Sequence, residues 1–115
     1  VWGDGDPAGV QDRAAAEMLA TIACAQKLGV GVVSGFAGSS LWPGVVGWPA
    51  NDPLEVQDGL RDFVRRLTPI LDACADAGIR FALEVHPGQV AFDLFSAEMV
   101  LDALDGREEF GFTFD

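Results

Sequence analysis

Basic side chains are scarce in this chain: 7 Lys and Arg stand against 18 Asp and Glu, for a formal net charge of -11. The densest cationic group, Arg61, Arg65 and Arg66, is interleaved with Asp58 and Asp62. Holding a phosphate backbone takes several Lys or Arg contacts, so nucleic acid is disfavoured as a partner. Histidine is scarcer still, with His86 alone. No GxSxG surrounds Ser39 or Ser40, so a Ser-His nucleophile has no signature. Cys24 and Cys74 fall within helical patterns without CxxC spacing and read as buried small hydrophobes, not as a disulfide or zinc ligands. They fit a reducing, cytoplasmic setting. No apolar run approaches the roughly 18 residues of a membrane helix, and no secretory signal is visible. GxGxxG is missing too: the stretch Gly35-Phe36-Ala37-Gly38-Ser39-Ser40 opens no helix directly, so a dinucleotide fingerprint is not met.

What is present suits one small globular domain: 115 residues, half of them hydrophobic, enough for a sizeable core. There is no initiator methionine, Val1-Trp2 opens inside an apolar stretch, and the chain stops at Asp115 just as a strand finishes. These ends read as those of a piece of a longer protein, truncated on both sides.

The pattern alternates helices and strands. Asp6-Pro7 is a helix start, with Asp6 as N-cap and Pro7 at the first helical position. Ala15, Met18, Leu19, Ile22, Ala25 and Leu28 follow helical spacing up to a stop at Gly29. Residues 30–36 form a valine-rich apolar run, expected to be a strand covered on both faces. Residues 37–51, rich in Gly, Ser, Pro and Trp, read as a long loop. Asp52-Pro53 repeats the start signal, Leu60, Phe63, Val64, Leu67, Ile70, Leu71 and Cys74 form a stripe, and Gly78 closes it. Pro69 inside this helix is expected to kink or split it near Thr68. A strand over 80–85, a loop over 87–95, a shorter helix capped by Ser96 and running through Met99, Val100, Ala103 and Leu104, a turn at 106–109 and a strand over 111–115 complete the chain. Val1-Trp2 fits the end of an earlier strand.

This order predicts an α/β fold with a parallel sheet and crossover helices. Long, unusual loops follow strands and short Gly-containing turns precede them, the asymmetry of a barrel whose working face lies at the strand C-termini. A doubly wound open sheet is the alternative.

The chemistry concentrates at two strand ends. In Phe81-Ala82-Leu83-Glu84-Val85-His86, alternation sets Phe81, Leu83 and Val85 on one face and Ala82, Glu84 and His86 on the other. Gly111-Phe112-Thr113-Phe114-Asp115 repeats the design, with Thr113 and Asp115 opposite the phenylalanines. Paired inward acids above a parallel sheet suit a hard divalent cation or sugar hydroxyls. For Glu84 the competing reading is a structural glutamate paired with an arginine; an unpaired buried carboxylate favours a metal or other cation. For Asp115 it is a helix N-cap. His86 is expected to contact substrate or to hydrogen-bond a carboxylate, in preference to ligating a metal directly. Phe36, Trp42 and Trp48 lie at or after a strand end, where an aromatic can stack on a sugar face or simply pack under a loop.

Together, the Gly-rich strand end with Trp42-Pro43, the segment Leu67-Thr68-Pro69-Ile70-Leu71 before Ala77-Gly78-Ile79, the strand Leu83-Glu84-Val85-His86-Pro87 and the terminal Phe112-Thr113-Phe114-Asp115 resemble the sugar phosphate isomerase/epimerase group. These are xylose isomerase-like TIM barrels, a superfamily that also holds ketose 3-epimerases, inosose dehydratases and endonuclease IV-type enzymes. The resemblance implies that residues 1–115 are the central part of a single (β/α)8 barrel. It also implies a divalent metal (Mn²⁺, Mg²⁺, Co²⁺ or Zn²⁺) ligated by Glu84 and Asp115, with Glu84 also serving as acid/base. Trp42 and His86 would bind substrate, and a histidine and a second glutamate on later strands would complete the ligand set. The implied reaction is proton transfer beside the carbonyl of a small sugar or polyol, in a protein that leaves homo-oligomerisation open. An endonuclease IV-like phosphodiesterase, which needs more histidines and a basic surface, and a non-catalytic barrel are the alternatives.

Overall fold

Three helices alternate with three strands in the computed structural model, which describes residues 5–6, 8–39, 41 and 52–115. The order is α1 (Val10–Leu28), β1 (Val32–Gly35), α2 (Pro53–Ala77), β2 (Arg80–Glu84), α3 (Leu94–Ala103) and β3 (Phe110–Thr113). The strands form one parallel sheet in the order β1-β2-β3. Each parallel pair is joined through a helix, as it must be, because parallel neighbours cannot be linked by a tight turn.

Local chemistry explains most of the boundaries. The Asp52 carboxylate accepts a hydrogen bond from the Leu54 N–H at 2.7 Å, and the Glu55 carboxylate accepts from the Asp52 N–H at 3.3 Å, a reciprocal capping box. Pro53 sits in the first turn, where its missing N–H costs nothing. Gly78 ends α2 in the left-handed region (φ 67°), where a residue with a Cβ would be strained. Within α2, Leu67, Leu71 and Cys74 are buried, and Leu60, Phe63, Val64 and Ile70 pack against them, so the expected stripe is the packing face. Gly59 on the same helix gives room to Leu41, whose side chain a Cβ there would overlap.

Several expectations are corrected. Helix α1 starts at Val10 behind Gly9 (φ 72°), not at Asp6-Pro7. The Asp6 carboxylate instead receives a hydrogen bond from Arg13 at 3.0 Å, while Pro7 lies outside the described residues. Pro69 does not split α2, which is one element of 25 residues. It lies on the exposed side, where water can satisfy the carbonyl that loses its N–H partner. Helix α3 is capped by Asp93, with Ser96 at the third helical position: the Asp93 carboxylate accepts from the Ser96 N–H at 2.8 Å, and the Ser96 hydroxyl accepts from the Asp93 N–H at 3.0 Å. Strand β1 is not covered on both faces, since Val32 is 53% exposed while Val33 packs on the core. Cys24 is exposed; only Cys74 is buried. The proposed strand end at Val1-Trp2 and nearly all of the loop after Ser39 lie outside the described residues.

The core fills the space between sheet and helices. Phe81 and Leu83 of β2 meet Ile22 of α1, Leu71 and Cys74 of α2, and Val100 and Leu104 around α3, with Phe110 and Phe112 of β3 beside them. Burial of a side chain such as Leu71, Leu83 or Val100 contributes about 1.5–3 kcal/mol. Arg107 ties the turn before β3 to α2 through Asp72 at 2.7 Å, and also holds Glu109 at 3.0 Å. Among the described residues, no helix is long and apolar enough to cross a membrane.

Candidate active site

The face of the sheet away from the helices carries different chemistry. Because Phe81 and Leu83 enter the helix-side core, alternation puts Ala82 and Glu84 on the opposite face. The register aligns Ser34 with Ala82 and Ala82 with Gly111, a floor of small residues across three strands. One pleat further, Glu84 stands opposite Thr113 at the C-terminal ends of β2 and β3. Its carboxylate is part-buried and makes no hydrogen bond or ion pair among the described residues. Water still reaches it, so desolvation alone does not demand a counter-ion.

Asp115 lies two residues beyond the last paired residue of β3 and is exposed. The register therefore sets Glu84 level with Thr113, and Asp115 follows roughly 6–7 Å of chain later. Among the described residues, no group of three or more His, Cys, Asp or Glu side chains forms a metal cluster. The donor type suits a hard divalent cation, since carboxylate oxygens are its usual ligands; the described donors do not by themselves complete a coordination shell.

His86 is held in a tight turn after β2. Its backbone N–H donates to the Ala91 carbonyl at 3.2 Å, and its carbonyl accepts from the Gln89 N–H at 3.0 Å. Its Nδ1 lies 2.8 Å from the Pro87 carbonyl oxygen. A carbonyl can only accept, so Nδ1 carries the proton, and the neutral ring keeps its lone pair on Nε2. The Phe36 ring meets the imidazole edge-to-face, with centroids 5.4 Å apart and planes at 70°. Trp42 and Trp48 lie outside the described residues.

Gln89 has no counterpart in the sequence reading. Its Oε1 accepts from the Ala37 N–H at 3.0 Å and the Gly38 N–H at 2.6 Å. These bonds span 52 and 51 residues, so no local pattern announces them. A cavity of about 510 Å³ lies near the same segment, bordered by Met18, Phe63, Ile70 and Phe81. Because Phe81 faces the helices, this cavity sits between α1 and α2 on the side of the sheet away from Glu84.

A family model, the xylose isomerase-like TIM barrel, matches residues 1–115. The chain belongs to the xylose isomerase-like TIM barrel family. Three parallel strands with crossover helices are a sector of such a barrel, and Glu84 stands at the strand ends where barrels of this architecture carry their sites. The family covers sugar isomerases and epimerases as well as endonuclease IV-like members. No curated protein matches the chain.

Proposed function

We propose that this chain contributes to a divalent-metal-dependent isomerase or epimerase that acts on a sugar or polyol. The observation that carries the reading is Glu84: a carboxylate at the C-terminal end of a barrel strand, on the face opposite the helices, with no protein partner among the described residues. Glu84 and Asp115 would hold the cation, whether Mn²⁺, Mg²⁺, Co²⁺ or Zn²⁺. When bound, the cation supplies Lewis-acid polarisation of a carbonyl oxygen and stabilises negative charge developing there.

The chain's own groups account for the remaining steps. Glu84 takes a proton from the carbon beside the carbonyl. Delivering it to the former carbonyl carbon isomerises the substrate, whereas epimerisation takes a second acid on the opposite face. Either role needs a carboxylate within hydrogen-bond reach of substrate. His86 accepts a hydrogen bond from a substrate hydroxyl at Nε2, because Nδ1 is committed to Pro87. Phe36 offers an apolar edge beside it; Trp42, to which the family resemblance gives a part in substrate binding, lies outside the described residues. A net charge of -11 and a single histidine favour a neutral small substrate over a nucleic acid. The two free thiols accord with the reducing, cytoplasmic setting that belongs to this reading.

Glu84→Gln in the full protein tests it. Calorimetric Mn²⁺ titration should show weaker binding, since one negative charge is gone, and turnover of a ketose should fall by about 10²–10⁴-fold. His86→Asn should raise KM more than it weakens metal binding. Unchanged metal affinity and turnover in Glu84→Gln would make Glu84 a structural residue, whereas a wild-type protein without turnover or metal binding would leave a non-catalytic barrel.

A further inference from the structure

We propose that Gln89 is a positioning residue, which locks the segment after β1 to the loop after β2 and thereby seats Phe36 against His86; its relevance to substrate rests on the reading just given for His86. The two backbone N–H groups of Ala37 and Gly38 converge on one oxygen, Gln89 Oε1, at 3.0 and 2.6 Å. Gly38 is in the left-handed region (φ 70°), which glycine adopts without strain, and this turns the chain just after the two donors. A third bond closes the link: the Val90 N–H donates to the Gly38 carbonyl at 3.2 Å.

The clamp touches both partners of the aromatic contact. Phe36 is the residue before Ala37, and Gln89 donates its own N–H to the His86 carbonyl. Residues 36–39 have no regular secondary structure, and Phe36 is 54% exposed. With little packing to hold the ring, its edge-to-face contact with His86 depends on the backbone that Gln89 fixes. The neutral amide matters as well. It supplies the acceptor without adding a further negative charge beside the strand ends that carry Glu84 and Asp115.

In the full protein the His86 ring signals are assigned by their loss in His86→Asn. At fixed neutral pH, Gln89→Leu keeps the bulk and removes the acceptor, whereas Gln89→Glu keeps the acceptor. For Gln89→Leu we expect loss of the Phe36–His86 ring NOE and at least ~10-fold faster exchange of the Ala37 and Gly38 amides, a change equivalent to about 1.4 kcal/mol in local opening. Gln89→Glu should restore both. Mn²⁺ affinity, measured by calorimetry, should stay within about twofold in Gln89→Leu, because the carboxylates are untouched. An intact NOE and unchanged exchange in Gln89→Leu would overturn the proposal. Should Gln89→Leu not fold, loss of the NOE in Gln89→Glu would overturn it, and retention would support it. A wild-type protein that binds no Mn²⁺ but loses the NOE in Gln89→Leu would overturn the metal reading alone.

Discussion

Two cysteines with the same sequence signature behave as different chemical groups. Cys24 sits on the exposed side of α1, while Cys74 on α2 is fully enclosed in the helix-side core. Burial pushes the Cys74 thiol up, because the thiolate would lose its hydration; nearby Glu109 pushes the same way and Arg107 opposes. A thiol-specific disulfide reagent should therefore modify one thiol promptly in the native protein, with peptide mapping placing the label on Cys24. The second should react only when denaturant opens the core. Prompt reaction of both thiols would contradict the packing of Leu71, Cys74 and Phe81. Glu84 differs from Cys74 in the opposite sense: an ionisable group left accessible at a strand end, open to a ligand.

At the scale of elements, the caps decide where helices begin, and they have a pH signature. The Asp93 carboxyl lies below the usual carboxylate range because the Ser96 backbone N–H and then its hydroxyl hydrogen-bond the charged form. A group whose folded value is depressed stabilises the fold above its unfolded value, and that contribution disappears as pH falls through the folded one. Asp93→Ala should lower stability by about 1 kcal/mol at pH 7. Thermal melts should show the gap to wild type closing below about pH 4. A gap that does not narrow at all between pH 7 and pH 2.5 would show that the carboxylate charge is not what the cap uses. The same caps explain how much of the fold was legible. Asp52-Pro53 with Glu55, and the stops at Gly29 and Gly78, are contacts within a few residues and can be read directly. Asp6-Pro7 carries the same local signal, but Gly9 turns the chain and Arg13 claims Asp6, so the helix starts later. At α3, Asp93 and Ser96 are both capping residues in a reciprocal pair, and spacing alone did not say which leads. The Glu84 face followed from strand alternation. Gln89 did not, because its partners are half the chain away.

The whole molecule shows what such a sheet exposes. Among the described residues, β1 and β3 each pair on one side only, so both present unpaired backbone groups along an edge. The open face adds apolar surface at Val32, and Phe36, Phe95 and Phe114 are 54%, 73% and 80% exposed. Exposed apolar surface beside unpaired edges favours association. The net charge of -11 opposes it, since like-charged copies repel. The two forces respond differently to salt. Repulsion is screened as the Debye length falls from about 30 Å at 0.01 M to about 10 Å at 0.1 M, whereas burial of apolar surface and edge pairing does not weaken in the same way. Purified residues 1–115 should therefore sediment as larger species when protein concentration rises, and again when salt rises at fixed concentration. Val32→Lys places a charge on an edge strand and on the open face at once, and should shift both curves back toward monomer. A monomer at all salt concentrations with one sharp thermal transition would mean that the open face and edges are already satisfied within the chain.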